Sequence, residues 1–200
     1  MAKIRLTKNE LKKQKDELKM YTRYLPTLML KKQQLQAELR VVEARVAQVE
    51  ARKLDLEGQI RAWIAVFAES WAFDPSYVAV EALEIERGNI AGVDIPVFKG
   101  ARFSVPDYDL MASPPWIDRA IERMRELVAL DLEREVVLEQ ARLLRKELLL
   151  TSQRVNLFEK VKIPETKQNI KKIRVYLGDQ QTAAVVRGKI SKAGLSKGAA

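Results

Sequence analysis

The chain has 200 residues, a net charge of +9 and a charged fraction of 32%. It contains neither cysteine nor histidine. That removes a disulfide framework, thiolate metal sites, the commonest general base and the usual pH switch. Few glycines and many charges suit helices better than a sandwich or barrel.

The charge is unevenly placed. Residues 1–32 hold ten Lys/Arg against three Asp/Glu, residues 159–200 hold the same ratio, and the stretch between them is net acidic. Side by side, the two ends would make one strongly positive tip that seeks an acidic surface, a nucleic acid or anionic lipid. The opening residues have no apolar signal region, and no apolar run approaches the ~18 residues of a membrane span. A soluble, cytoplasmic protein is expected.

Thr7-Lys8-Asn9-Glu10 has the T-x-x-E form of a capping box and starts the first helix. From there one heptad frame runs unbroken: Leu11, Gln14, Leu18, Tyr21, Leu25, Leu28, Lys32, Leu35, Leu39, Val42, Val46, Val49, Lys53, Leu56, Ile60, Trp63 and Phe67. Its apolar stripe is narrow and long, the pattern of a coiled-coil seam. Lys32 and Lys53 on that seam would snorkel outward or set register. Pro26 cannot donate to the helix ladder and falls just off the seam. A bent but continuous helix to about Ser70 is expected, with a break at Tyr24–Pro26 as the alternative.

Asp74-Pro75 signals a turn and a short helix from Pro75 to about Leu83. Between Glu84 and Phe103 glycines cluster and the helical period disappears. A β-hairpin or two short strands are predicted there, carried by Ile85, Gly88, Val93, Ile95, Val97 and Phe98, with Gly88 and Asn89 near one turn. Pro96 argues for an edge strand. Ser113 caps a second long helix that Pro114 and Pro115 open. Its best frame is Ala120, Leu127, Leu130, Val137, Ala141, Leu144, Leu148, Val155 and Phe158, and the small residues would allow close helix approach. Pro164 interrupts, shifting the phase to Ile163, Ile170, Ile173 and Leu177. The helix is expected to about Tyr176; beyond Gln180, Ala183, Val185, Val186 and Ile190 could extend it, while Gly188 and the small-residue end point to fraying.

The predicted fold is mainly α: a long antiparallel two-helix coiled coil with a small β-hairpin-containing head in the middle. Residues 1–70 form the first long helix, 71–113 the head, 114–178 the second long helix, and 179–200 a basic, partly flexible tip. Stiffness, span and partner contact are the functions this layout suggests. The head carboxylates Glu81, Glu84, Glu86, Asp94, Asp107 and Asp109 read as surface charge, because no glycine-rich phosphate loop or concave scaffold accompanies them. The aromatics Trp63, Phe67, Trp71, Phe73 and Trp116 read as packing where helices meet head. Lysine pairs such as Lys12-Lys13 and Lys171-Lys172 read as solvated faces, with phosphate contact as the alternative. No catalytic, cofactor-binding or metal-binding residue is expected.

One segment goes further. Thr151 to Pro164 reads TSQRVNLFEKVKIP, which resembles the R-V-N-A-L-E-x-x-x-I-P signature of the D subunits of the V-type (A/V-type) ATP synthases. Arg154, Val155, Asn156, Glu159, Ile163 and Pro164 match it, while Leu157 and Phe158 replace the usual Ala and Leu. Glu165 and Thr166 stand where many members have Arg and Leu. The Leu6-Thr7-Lys8-Asn9 stretch before a basic heptad helix and the Tyr24-Leu25-Pro26-Thr27-Leu28 segment also look like this family. The resemblance implies a central rotor shaft without catalytic residues of its own. Its implied partners are a hexamer of catalytic A and B subunits, the F subunit, and a socket subunit above the membrane ring, without nucleic acid or direct membrane insertion. Residues 154–159, Ile163 and Pro164 would then belong to a partner interface or to the helix pair, and a positive tip would sit in an acidic or neutral sleeve. A coiled-coil scaffold without motor role and a basic nucleic-acid-associated rod are the readings from other classes.

Overall fold

The computed structural model describes residues 4–62, 73–104 and 113–198, with side chains described as far as Ala193. Helix α1 spans Lys8–Arg61, the hairpin strands are β1 (Val80–Ile90) and β2 (Val93–Phe103), and α2 spans Ile117–Asn156. A π-helical segment, Leu157–Lys162, then leads into α3, Ile163–Gly198. Long N-terminal and C-terminal helices around a two-stranded antiparallel hairpin are the architecture the sequence predicts. The chain divides into two compact units, residues 33–149 and residues 1–32 with 150–200.

α1 begins where the capping box places it. Thr7 Oγ1 accepts the Glu10 N–H at 3.2 Å. Glu10 does not reach back to complete the box; its carboxylate instead accepts from Gln14 Nε2 at 3.0 Å. The helix runs through Pro26 without a break. Every described position of the heptad frame, from Leu11 to Ile60, is buried or half-buried. Trp63, Phe67, Trp71 and the expected helix end near Ser70 lie outside the described residues.

In the unit of residues 33–149, Leu35 and Val42 of α1 form a buried cluster with Val137, Ala141 and Leu144 of α2. Ile90, Ala91 and Val93 at the hairpin tip pack against it. Ion pairs flank this core: Arg145–Glu43 at 2.6 Å, Arg134–Glu50 at 2.8 Å and Lys53–Asp131 at 2.6 Å. Glu133 takes both Arg45 (3.0 Å) and Arg52 (2.9 Å). Residue numbers rise along α1 as they fall along α2, so the helices run antiparallel here. Lys53 thus sits on the seam with its ammonium across on α2, and Asp131 raises its pKa.

The hairpin differs from the sequence expectation at its turn. Gly88 lies inside β1 opposite Ile95, and the reversal is at Ala91-Gly92, between the Ile90–Val93 pair. Both turn residues have positive φ, 52° and 78°, the signature of a type I′ turn. Alanine is disfavoured there. Asn89 offsets this by accepting the Gly92 N–H at 3.1 Å and donating to Asp94 at 2.7 Å, while Ala91 gains burial on the helix core. Gly88 is needed for close approach: a Cβ would fall 2.8 Å from Val97 Cγ2. Of the predicted hairpin residues, Ile95 is buried, Val93, Val97 and Phe98 are half-buried, and Ile85 is exposed.

The short helix expected over Pro75–Leu83 is a single 3₁₀ turn, Pro75–Val78, and β1 takes over from Val80. Residues Ala79–Leu83 have helical composition, but pairing with β2 decides their conformation. Arg125 of α2 ties this region down. Its guanidinium donates twice to the Tyr77 carbonyl (3.1 and 2.9 Å) and once to the Ser104 carbonyl, and lies 5.5 Å from the Phe103 ring centroid.

Asp74 caps the 3₁₀ turn by accepting the Ser76 N–H at 2.8 Å. That backbone bond, with the Ser76 side chain, holds its carboxyl below the usual carboxylate range. A depressed folded pKa stabilises the turn above the unfolded carboxylate pKa, and the contribution is lost as pH falls through the folded value. Amide protection at residues 76–79, taken relative to the intrinsic exchange rate at each pH, should therefore fall as pH drops below about 4. Asp74→Asn should remove that pH dependence; an unaltered profile in the variant would dismiss the cap.

Candidate functional site

The unit of residues 1–32 and 150–200 pairs the start of α1 with the end of α2, the π segment and α3. Tyr21 and Phe158 rings meet with centroids 5.1 Å apart, and Asn169 Nδ2 donates to Gln14 Oε1 at 3.3 Å. The descending order of partners again marks antiparallel pairing. Its core mixes Val155, Ile170 and Ile173 with buried Gln14, Thr151, Thr166 and Asn169. Polar groups on a seam cost stability but penalise wrong registers. Gln14 is held by Glu10 and Glu17 as well as Asn169, and Thr166 Oγ1 donates to the Lys162 carbonyl at 2.6 Å. Thr151 Oγ1 is buried without a hydrogen-bond partner.

The signature segment falls on the π-helical insertion. The Ile163 N–H donates to the Phe158 carbonyl, five residues back. Pro164 has no N–H to give, and the wider turn just before it absorbs the mismatch without ending the helix. The predicted phase shift at Pro164 is thus made by one widened turn, and the helix continues past Tyr176 to Gly198. Ile170 and Ile173 are buried in the new phase, with Ile163 and Leu177 half-buried.

Within the signature, Val155 packs into the core and Phe158 half-buries against Tyr21, whereas Arg154, Asn156, Leu157, Glu159 and Pro164 are exposed. Among the described residues, the side chains of Arg154, Asn156 and Glu159 make no hydrogen bond or ion pair. Leu157 and Val161 add exposed apolar surface at 43% and 48%. Sequence reasoning found the motif and missed the buried polar layer beside it. Gln14 was visible as the one uncharged polar residue on the frame, and Asn169 had no such signal. No group of three or more potential metal-ligating side chains occurs among the described residues. No helix among them is long and apolar enough to cross a membrane.

These features define a coiled-coil protein of the helix–hairpin–helix class, with a partly polar seam and a π-widened turn at an exposed motif. The chain belongs to the family of ATP synthase D subunits, whose model matches residues 10–193. The V-type ATP synthase D subunit of Borreliella burgdorferi is 50% identical over 199 residues, covering 98% of this chain and 97% of that protein. The V-type ATP synthase D subunit of Chlamydia trachomatis is 36% identical over 193 residues, covering 96% and 95%, and that of Chlamydia pneumoniae 33%, covering 96% and 92%.

Proposed function

We propose that this chain is the non-catalytic central-shaft (rotor) subunit of a V-type ATP synthase/ATPase. It transmits torque between an ion-driven membrane ring and a catalytic hexamer of A and B subunits, and so couples ATP synthesis or hydrolysis to ion transport. The F subunit and a socket subunit above the ring are its further partners. It lies peripheral to the cell membrane, within the soluble sector and central stalk. The observation that carries the reading is family membership over nearly the whole chain. The helix pairing supports it: buried seams, cross-helix ion pairs and buried polar contacts resist one helix sliding past the other.

The exposed signature side chains Arg154, Asn156 and Glu159 face a partner subunit in this reading. Replacing all three with alanine should leave helicity intact and lower both complex assembly and ATP-driven ion transport at least several-fold. Unaltered assembly and transport would reduce the motif to a packing element. The wider test is affinity purification of the tagged chain from its own cells. A, B and F subunits should co-purify at roughly three, three and one per copy, the ratio the family resemblance implies. Recovery of the chain alone, or with nucleic acid that salt strips away, would replace the rotor by a scaffold or a basic binder.

A further inference from the structure

In the unit of residues 1–32 and 150–200, the groove between α1 and α3 carries cations on both sides. Lys15, Lys19 and Arg23 follow one another at intervals of four along α1. Lys167, Lys171 and Arg174 do nearly the same along α3. Between these two rails lie Leu18, Ile170 and Val175, and the groove encloses about 890 Å³ with no carboxylate among its lining residues. A neighbouring hollow of about 530 Å³ shares Lys171 and Val175 and extends the apolar surface to Leu6 and Tyr176. From Lys15 to Arg23 the groove runs ~12 Å, somewhat over two helical turns.

The charge here is unlike that of the other unit. There, Arg45, Arg52, Arg134 and Arg145 each meet a carboxylate on the facing helix. Among the described residues, none of the six groove cations is ion-paired. Like charges four apart on one helix repel, so the rails are unfavourable for the chain by itself. They become favourable when an external anion lies between them.

We propose that this groove docks an acidic amphipathic helix of a partner protein. A third helix laid along a helix pair covers the apolar floor with its own apolar stripe. Asp and Glu flanking that stripe at intervals of three and four then match the spacing of the rails on both sides. An inorganic phosphate or a nucleotide would satisfy the rails but leave the floor wet. The proposal names a partner chemistry and does not require the rotor assignment, so the two can fail separately.

The test is site-specific photocrosslinking in the native cells, using the full-length chain with a photoreactive benzoylphenylalanine in place of Thr22, an exposed groove residue. A second version carries it in place of exposed Val185 as a control. The crosslinked peptide from the Thr22 position should be a helix with an apolar stripe flanked by Asp and Glu. Lys19→Glu combined with Lys171→Glu should cut the yield at least tenfold, and Lys→Arg at both positions should retain it. Circular dichroism of each variant reports whether the helices persist. If the charge reversal unfolds the unit, Lys19→Gln with Lys171→Gln takes its place, with a severalfold loss expected. A crosslink to an acidic helix of an ATPase subunit upholds both this docking surface and the rotor reading; one to an acidic helix of an unrelated protein, without ATPase subunits, upholds the surface alone. A crosslink to lipid, nucleic acid or a neutral or basic segment overturns the docking surface. So does the absence of any crosslink, and so does a yield that charge reversal leaves unchanged.

Discussion

Leu144→Ala should lower the stability of the unit of residues 33–149 by about 3 kcal/mol, within the ~2–5 kcal/mol typical of buried leucine truncation. Leu144 is fully buried between Leu35, Val42, Val137 and Ala141. Two helices and a hairpin tip enclose that cluster. Neither helix can move inward to fill the space without breaking cross-helix ion pairs, so most of the cavity persists. Each kcal/mol lost should lower the melting temperature by roughly 2–4 °C for a chain of this length. Leu149→Ala is the internal control. It removes the same atoms from a site 59% exposed and should stay within about 0.5 kcal/mol of the parent. Equal shifts from both variants, measured by thermal unfolding, would mean that this cluster is not the core.

The second large effect is at Arg125. Methionine keeps an apolar stem but removes the guanidinium, and with it every donor to the Tyr77 and Ser104 carbonyls and the contact with the Phe103 ring. Two backbone acceptors beneath the head then lose a charge-assisted partner, at roughly 2–3 kcal/mol. The loss should be local. Amides from residue 76 to 104 should exchange about 30- to 150-fold faster, the equivalent of that energy under local opening, while those of Leu35 to Val49 stay as they are. Lysine should rescue only partly, because one ammonium cannot reproduce the planar fork that serves both carbonyls. Protection unchanged across the hairpin in Arg125→Met would show that strand pairing alone holds the head.

The elements that the sequence made legible are those where side-chain chemistry and backbone period agree. The seam of α1 is written at 3.5-residue intervals, and every described member is buried or half-buried. The hairpin was legible as an element, yet its turn was not. Glycine and asparagine at 88–89 carry the usual turn chemistry, but the structure reverses at Ala91-Gly92, where tertiary packing supports an alanine in a conformation it disfavours by itself. The 3₁₀ turn was over-extended because Ala79–Leu83 looks helical until its strand partner is present. Pro164 announced a phase change, but five-residue hydrogen bonding leaves no compositional trace, so the π-widened turn could not be foreseen. Of the signature residues, the sequence supplied identity, and the structure separated buried Val155 from exposed Arg154, Asn156 and Glu159.

The antiparallel pairing also dictates an order of events during folding. The hairpin closes a two-residue turn at Ala91-Gly92. Among the described residues, the cross-helix bond of smallest separation, Lys53–Asp131, closes 78 residues, Glu43–Arg145 closes 102, and Gln14–Asn169 closes 155. Once the shortest of these has formed, each further bond enlarges an existing loop only slightly, and a doubling of loop length adds just ~0.6 kcal/mol. Pairing should therefore zip from the hairpin towards both termini. In pulse-labelled hydrogen exchange, residues 50–60 and 125–137 should become protected before residues 11–21 and 166–177; the reverse order would refute the zipper. During synthesis the whole seam of α1 must then leave the ribosome and wait, apolar side outward, until residue 131 has followed. Neighbouring nascent chains on one message would meanwhile expose identical seams to each other, which makes self-pairing the competing reaction that slow translation or crowding would favour.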